Sequence, residues 1–231
     1  MTERRAAGID VRDVELAFGD REFVLELSRL EVAPREKVAL VGVSGCGKTT
    51  LLHLLAGILT PDRGTIRIGD TAVSEGSDRA RRDFRIRNIG LVFQSFELIE
   101  YLRVLDNILL PYRLNPALRL TKDAVERARG LADSVGLGER LHRRTHQLSQ
   151  GERQRVAICR ALVSEPSLVL ADEPTGNLDP DTTARILDVL FGRVEAAGAT
   201  LVTVTHDHGI LDRFDRVVDL MQLRRGAEAV G

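Results

Sequence analysis

A glycine-rich segment between a predicted strand and a predicted helix constrains this sequence more than any other feature. Residues 37–41 form a mostly apolar run typical of a buried strand, and leucines at helical spacing over residues 48–58 predict a helix. The segment that joins them reads Gly42-Val43-Ser44-Gly45-Cys46-Gly47-Lys48-Thr49. This spacing matches the phosphate-binding loop, and it lies in the strand–loop–helix context that such a loop requires. We therefore expect a phosphorylated ligand at this turn.

The predicted phosphate-binding loop divides its chemistry between the backbone and two side chains. Its glycines let amide groups turn toward phosphate, and the helix N-terminus adds the positive end of a dipole. Lys48 is expected to reach the β- and γ-phosphates of a nucleotide, and Thr49 to hold magnesium. The residues of this segment that we expect to bind nucleotide are Gly42, Val43, Ser44, Gly45, Cys46, Gly47, Lys48, Thr49 and Thr50.

Two adjacent carboxylates follow a second apolar segment. Residues 168–171 predict a buried strand, and Asp172 and Glu173 come directly after it. A phosphate-loop enzyme places its magnesium-binding acid at such a strand end, so Asp172 is the expected metal partner. Glu173 is expected to activate the attacking water as a general base. Solvated acids at a strand terminus are the alternative, which the presence of the phosphate-binding loop disfavours.

A third motif precedes an amphipathic helix predicted over residues 151–163. Ser149 and Glu152 have the spacing of a capping box, in which each side chain satisfies a backbone amide of the other residue. Capping alone would explain the motif. In a functional interpretation this helix N-terminus, where Gly151 permits close approach, is a second anion site. One active site does not need two such loops, so the second phosphate would belong to another subunit.

Composition restricts the class of protein. The chain has 231 residues, is 43% hydrophobic and has a net charge of −1, which describes a globular protein without the basic excess of a nucleic-acid coating protein. Nucleic acid is therefore not an expected partner. The only cysteines are Cys46 and Cys159, which favours a reducing compartment such as the cytoplasm. Neither a signal peptide nor an apolar run long enough to span a membrane is evident.

The order of predicted elements indicates an α/β fold with an inserted helical part. Alternating residues over 9–17 and 23–32 predict antiparallel strands, and further strands are predicted over 65–68, 89–93, 200–205 and 217–221. Helices are predicted over 104–110 and over 121–135, where Thr121 is the N-cap, and after Asp179 and Pro180. We expect one domain over residues 1–231. Its nucleotide-binding core covers about residues 1–88 and 164–231, and its helical subdomain covers about residues 89–163.

Two further clusters are given structural interpretations. Arg79, Arg81, Arg82, Arg85 and Arg87 form a basic cluster that we interpret as a solvated face. His142 and His146 have helical spacing but lack an evident third ligand, so they are interpreted as surface polar residues.

These motifs in this order resemble the ATP-binding cassette (ABC) ATPase family over residues 9–221. The resemblance implies a phosphate-loop ABC ATPase core with an antiparallel β subdomain and an inserted helical subdomain, and it implies ATP and Mg²⁺ as ligands. It also implies that two copies pack head to tail. The turn of one copy, with Ser149, Gln150, Gly151 and Glu152, would then complete the nucleotide site built on Lys48 of the other. Gln150 stands where many relatives have glycine.

Further positions take expected roles from the resemblance. Gln94 is similar to the family's glutamine that contacts magnesium and water, and His206 to the switch histidine that contacts the γ-phosphate. Asp179 would face the other subunit from the loop Asn177-Leu178-Asp179. Phe18 is the candidate for stacking on adenine, where many relatives have tyrosine. A catalytic set of Glu173, His206, Gln94 and Lys48 and a metal set of Thr49, Gln94 and Asp172 follow.

Local sequence indicates a branch of the family. The stretch after Phe93-Gln94 and the segment Gly176-Asn177 resemble the group that contains the lipoprotein-releasing, macrolide-export and cell-division ATPases. That resemblance implies an ATPase subunit that powers membrane permeases by closing its dimer. The protein would be peripheral on the inner face of the cytoplasmic membrane, which it contacts through the permease.

Three alternatives remain open at this point. An importer ATPase would have the same fold and a different permease. A soluble ABC protein of DNA repair or translation would usually carry a large insertion, a coiled coil or a second cassette. A phosphate-loop kinase or switch would lack the ordered set of Ser149 to Glu152 and His206, and it would turn over as a monomer.

Overall fold

The structure is a computed structural model that describes residues 6–18, 23–175 and 180–224, with the backbone alone at residues 18, 23 and 180–182. The strands are β1 (Ile9–Phe18), β2 (Phe23–Val32), β3 (Lys37–Val41), β4 (Arg63–Ile68), β5 (Thr71–Ala72), β6 (Ile89–Val92), β7 (Leu168–Asp172), β8 (Thr200–Val204) and β9 (Arg216–Asp219). The α-helices are α1 (Lys48–Leu55), α2 (Asp78–Asn88), α3 (Val104–Ile108), α4 (Leu110–Leu114), α5 (Lys122–Ser134), α6 (Gln150–Leu162) and α7 (Pro180–Ala196).

The first strands form an antiparallel sheet in the order β2-β1-β4-β5. In its register Val11 lies opposite Leu30 of β2 and Ile66 of β4, and all three side chains are buried. Alternation places these residues on one face of the sheet, where they join the core that also contains α1. The predicted antiparallel pairing is confirmed.

The second sheet is parallel and has the order β6-β7-β8-β3-β9. Its strands are covered on both faces: Val38 and Leu40 pack into the core with α1, and Ala39 packs into the core with α6 and α7. The strands β7, β8 and β3 are neighbours, so the segments that follow them meet at one edge of the sheet. This topology brings together the chain after residues 41, 172 and 204.

Helix α6 contributes to two separate hydrophobic cores. Val156 and Cys159 pack with α3 and α5 in the helical part, and Ile158 and Leu162 pack with the parallel sheet. Gly90 on β6 lies so close to α6 that a Cβ there would lie 2.4 Å from the carbonyl oxygen of Ala161. The division at residues 89 and 163 stays a prediction. Strand β6, at the start of the predicted helical subdomain, pairs with β7 in the core sheet.

Several elements differ from the predicted ones. Helix α1 ends at Leu55 instead of residue 58, because Gly57 has a φ of 62°. The helix predicted over 104–110 is divided into α3 and α4 at Leu109. Helix α2 was not predicted; the structure describes all eleven of its residues, and none is buried.

The basic cluster on α2 is only partly a solvated face. Arg82 pairs with Asp78, and Arg79 is exposed. Arg85 instead donates from Nη1 to the carbonyl oxygens of Ala56 and Gly57, each at 3.2 Å. Burial lowers the pKa of Arg85. This arginine therefore holds the end of α1 against α2.

Across residues 6–18, 23–175 and 180–224, no helix is both long and apolar enough to cross a membrane.

Candidate active site

The loop between β3 and α1 has the backbone that its glycines permit. Gly42, Gly45 and Gly47 have φ values of 150°, 77° and 103°, in the region that glycine adopts readily. At Gly42 a Cβ would also lie 2.8 Å from Sγ of Cys46. Gly47 is the N-cap of α1 and offers no side-chain acceptor to the first turn. The first amides of α1 therefore remain available to an anion.

The side chains of this loop divide between a cavity and the core. A cavity of about 300 Å³ is lined by Ser44, Gly45, Gly47, Lys48, Thr49, Thr50, Gln94, Asp172, Glu173 and Val204. Lys48 donates from Nζ to the carbonyl oxygens of Gly42 at 2.7 Å and of Val43 at 3.0 Å. Cys46 is buried in the core beside α1, and the side chain of Val43 is exposed. The side chain of Cys46, a predicted binding residue, is therefore packed in the core instead of lining the cavity.

Asp172 lies at the end of β7 and faces the start of α1. Thr49 donates from Oγ1 to Oδ2 of Asp172 at 2.9 Å. Partial burial raises the pKa of Asp172 and the neighbouring Glu173 adds to the rise, while the hydrogen bond from Thr49 opposes it. A hydroxyl oxygen and a carboxylate thus meet beside the phosphate-binding loop, and both residues line the cavity.

Glu173 contacts two of the other three predicted catalytic side chains, Gln94 and His206. Gln94 donates from Nε2 to Oε2 of Glu173 at 3.0 Å, and Nδ1 of His206 lies 2.9 Å from Oε1. The contact with His206 requires a proton on Nδ1, since both carboxylate oxygens are acceptors. Glu173 has a φ of 45°, and its backbone amide donates to Val204 of β8 at 3.0 Å. The fold therefore brings together three residues that lie far apart in the sequence.

The turn before α6 forms the predicted capping box. Oγ of Ser149 accepts from the amide of Glu152 at 3.3 Å, and Oε2 of Glu152 accepts from the amide of Ser149 at 2.9 Å. The backbone hydrogen bond from Ser149 lowers the pKa of Glu152, and Arg140 adds to this effect. A hydroxyl that accepts a hydrogen bond can still donate its own proton. Capping and anion binding are therefore compatible at Ser149.

This turn does not take part in the cavity beside Lys48. Within the part of the chain that the structure describes, none of residues 149–152 lines that cavity. Ser149, Gln150 and Gly151 thus present the first turn of α6 elsewhere on the molecule. The side chain of Phe18 and the residues Asn177, Leu178 and Asp179 lie outside what is described, so adenine stacking and the contact across the dimer stay predictions.

Sequence reasoning missed a group of side chains that hold the chain after Gln94. Asn107 is fully buried and exchanges hydrogen bonds with the backbone of Ile99, at 2.9 Å and 3.0 Å. Thr145 donates to the carbonyl oxygen of Ile99 at 3.0 Å. Arg160 of α6 donates to the carbonyl oxygens of Phe96 and Glu97. The sequence feature that could have indicated these contacts is a polar or charged residue at a buried position of an apolar helical pattern, as at Asn107 and Arg160.

The fold and site agree with comparisons to known proteins. The sequence model of the ABC transporter family matches residues 25–176, more than half of the chain. The chain therefore belongs to the ABC transporter family, in which it is an ATP-binding and ATP-hydrolysing subunit. This confirms the family, the fold class and the enzyme class expected from the sequence.

Individual relatives cover most of the chain. An uncharacterized ABC transporter ATP-binding protein of Mycobacterium tuberculosis is 47% identical over 200 residues, which cover 87% of this chain and 80% of that protein. The lipoprotein-releasing system ATP-binding protein LolD of Chromohalobacter salexigens is 43% identical over 206 residues, or 89% and 86% of the two chains.

A solved structure shares the architecture. The dimeric, post-hydrolysis structure of the ATP-binding cassette MJ0796, bound to ADP and Pi, superimposes with a TM-score of 0.81 and 30% identity. The match covers 91% of this chain and 93% of that one.

Proposed function

We propose that two copies of this chain close on ATP and magnesium and thereby drive a membrane permease of the lipoprotein-release or macrolide-export type. The observation that carries the proposal is the position of Glu173, which lines the Lys48 cavity and is held by Gln94 and His206. A carboxylate in this place can accept the proton of a water molecule that attacks phosphate. With Glu173 as the base and Lys48 as the cation, two groups that ATP hydrolysis requires would line the same cavity.

The phosphate-binding loop would hold the nucleotide by its amides and by Lys48. The amides at the open end of α1 would donate to phosphate oxygens. Lys48 would exchange its contacts with the carbonyl oxygens of Gly42 and Val43 for contacts with phosphate, because its ammonium group already points over the loop. Such charge-assisted hydrogen bonds are about twice as strong as neutral ones.

The residues present fit a magnesium ion. Oγ1 of Thr49 and Oδ2 of Asp172 lie 2.9 Å apart, and oxygen atoms are the ligands that Mg²⁺ prefers. The raised pKa of Asp172 reflects the cost of burying its charge, which a cation would offset. Thr49 and Asp172 would hold the ion directly, with Gln94 nearby. When bound, it would neutralise charge on the phosphate oxygens.

Glu173 would act as the general base once Gln94 and His206 turn toward the reacting groups. In the structure both oxygens of Glu173 are engaged, one by each of these side chains. Gln94 would orient the attacking water, and His206 would contact the γ-phosphate. Release of one contact would free an oxygen of Glu173 to accept the proton.

A second copy would supply Ser149 and the first turn of α6 to this cavity. The capping box keeps the turn ordered while the hydroxyl proton of Ser149 remains able to donate. The dimeric state of the related cassette MJ0796 supports this arrangement. Head-to-tail packing would produce two equivalent sites.

The permease would contact the chain around Gln94 and residues 96–99, so closure of the dimer would move the segment that it reads. The similarity to LolD of Chromohalobacter salexigens supports the lipoprotein-release type. The chain would then lie on the inner face of the cytoplasmic membrane and contact it through the permease.

The test is Glu173→Gln, which removes the base but keeps the size of the side chain. We expect kcat to fall by about 10²- to 10⁴-fold, while ATP still binds and a closed dimer accumulates. Glu195→Gln, at an exposed position of α7, is the matched control and should behave as the wild type. Hydrolysis by Glu173→Gln at the wild-type rate would contradict the assignment of the base.

The partner is tested by purifying the Glu173→Gln protein from native membranes with ATP and magnesium, followed by mass spectrometry. A permease with few membrane spans and a large extracytoplasmic domain would support the proposal. A permease with many spans, together with a solute-binding protein, would identify an importer. Recovery of the dimer without any membrane protein would identify a soluble ABC machine.

A further inference from the structure

Two consecutive residues after Gln94 have a backbone conformation that their side chains disfavour. Phe96 and Glu97 have φ values of 63° and 47°, in the left-handed region. This conformation is sterically unfavourable for a residue with a Cβ, and it persists only where surrounding contacts impose it. Local contacts supply some of these, since the amide of Phe96 donates to Phe93 at 3.0 Å.

The guanidinium group of Arg160 supplies the contact from outside the segment. It donates from Nη2 to the carbonyl oxygen of Phe96 at 2.6 Å and from Nη1 to that of Glu97. Arg160 is 9% exposed, and burial lowers its pKa to about 10. It therefore remains charged at neutral pH, and its planar fork donates to both carbonyl groups at once.

This contact connects two parts of the proposed catalytic machinery. Gln94, which contacts Glu173, lies two residues before Phe96, and Ser149 is the N-cap of α6. The contacts of Asn107 and Thr145 hold the chain farther along, at Ile99. Of these three side chains, Arg160 contacts the chain at the positions closest to Gln94, at Phe96 and Glu97.

We propose that Arg160 is a positioning residue, which holds Phe96 and Glu97 in their left-handed conformation so that Gln94 reaches Glu173. The inference rests on the proposed function, specifically on the role of Gln94. Arg160 belongs to α6, whose N-cap is Ser149. A displacement of α6 would therefore be transmitted to the segment after Gln94 through the planar guanidinium group of Arg160. The side chain of Arg160 itself touches no reacting group.

The primary variant is Arg160→Lys, which keeps the positive charge but loses the fork. One ammonium group cannot reproduce the planar pair of donors, so the segment relaxes. We expect kcat for ATP hydrolysis to fall about tenfold, with KM for ATP changed less than about twofold, because the loop that binds nucleotide is untouched. A rise in KM at unchanged kcat would overturn the inference.

The matched control is Arg127→Lys. Arg127 lies on α5, donates from Nε to the carbonyl oxygen of Val163 at 3.0 Å and is remote from Gln94 in the sequence. Arg127 also pairs with Glu165, an ion pair that a lysine can form. Its replacement therefore removes a single guanidinium–carbonyl contact and should leave kcat within about twofold of the wild type. An equal loss of kcat in Arg127→Lys and Arg160→Lys would show a general effect on stability and would overturn the inference.

A double-mutant cycle with Gln94→Ala separates the two proposals. If Arg160 acts through Gln94, adding Arg160→Lys to Gln94→Ala lowers kcat by less than about twofold further. A further loss equal to that in the wild-type background would overturn the inference alone. Wild-type kcat in Gln94→Ala would instead contradict the proposed role of Gln94, and the inference with it.

Glycine at residue 97 tests the conformational reason directly. Glycine adopts the left-handed conformation without the steric cost that Glu97 has. We therefore expect Glu97→Gly to restore kcat of Arg160→Lys by about threefold or more. No recovery in the double variant, with both proteins folded by circular dichroism, would overturn the conformational explanation.

Discussion

The N-termini of α1 and α6 are built in opposite ways. Helix α1 follows Gly47, which provides no side-chain cap, whereas α6 follows Ser149, whose capping box with Glu152 satisfies two amides. The open end has a cation, two carboxylates and a cavity around it, and none of residues 149–152 lines that cavity in the described part of the chain. We therefore expect the uncapped end of α1 to bind nucleotide in the isolated chain, and the capped end of α6 to contact that nucleotide only from the second copy in the dimer.

The largest expected effect that separates the two helix ends is that of Lys48→Ala. It removes the cation at the open end of α1, so the affinity for ATP should fall by about 10- to 100-fold, as loss of a charge-assisted hydrogen bond predicts. Calorimetric titration measures the affinity. Lys37→Ala is the control, because the Lys37 ammonium group lies 3.8 Å from Asp215 and 5.9 Å from the centre of the Phe191 ring, neither of which lines the cavity. Unchanged affinity in Lys48→Ala would remove the distinction between the two helix ends.

Ser149→Ala tests the other end, in the Glu173→Gln background where closed dimers accumulate. The isolated chain should bind ATP within about twofold of its parent, while ATP-dependent dimerisation weakens by about tenfold, since each site loses a hydrogen bond. Light scattering measures the dimer. Ser134→Ala, which removes a hydroxyl that donates to Leu131 at 2.6 Å, is the control. Full dimerisation of Ser149→Ala would leave capping as the only role of this serine.

The smallest effect concerns the charge in the capping box. The pKa of Glu152 is lowered in the folded state, so its charge stabilises the fold above its ordinary pKa of 4.5, and this contribution is lost as the pH falls through the lower, folded-state value. Glu152→Gln keeps an acceptor for Ser149 but lacks the charge. We expect a loss below about 1 kcal/mol at pH 7, because solvent screens this turn.

Chemical denaturation of wild type and Glu152→Gln from pH 7 to pH 3 measures this difference, with Glu195→Gln as the control. The two stabilities should converge as the pH falls below 4.5. A constant difference across this range would show that the charge of Glu152 does not stabilise the turn.

Periodic patterns predicted those elements whose burial follows the pattern. The strands over 23–32 and 37–41 and the N-caps Thr121 and Ser149 were predicted from sequence and are present. Helix α2 was missed because it has no buried apolar face: besides Phe84, which packs partly buried against the core, polar side chains such as Arg85 hold it in place. Periodicity detects apolar faces.

Contacts within the site were harder to predict from the sequence than the residues that make them. Gln94 and Glu173 are 79 residues apart, and their contact depends on the order of strands in the parallel sheet. Sequence motifs identified both residues without giving their distance. The positive φ values of Phe96 and Glu97 left no signal at all, since neither residue is one that favours that conformation.

The close approach of β6 to α6 at Gly90 limits how this protein can be divided into separate domains. Because α6 packs one side into the helical core and the other against the sheet, neither core is complete without it. We therefore expect that the helical part cannot be expressed alone or exchanged between relatives, because each of the two cores would need its own copy of the α6 residues that complete it. An exchange would also have to preserve a position with no side chain opposite Ala161, since even one added methyl group would meet its carbonyl oxygen.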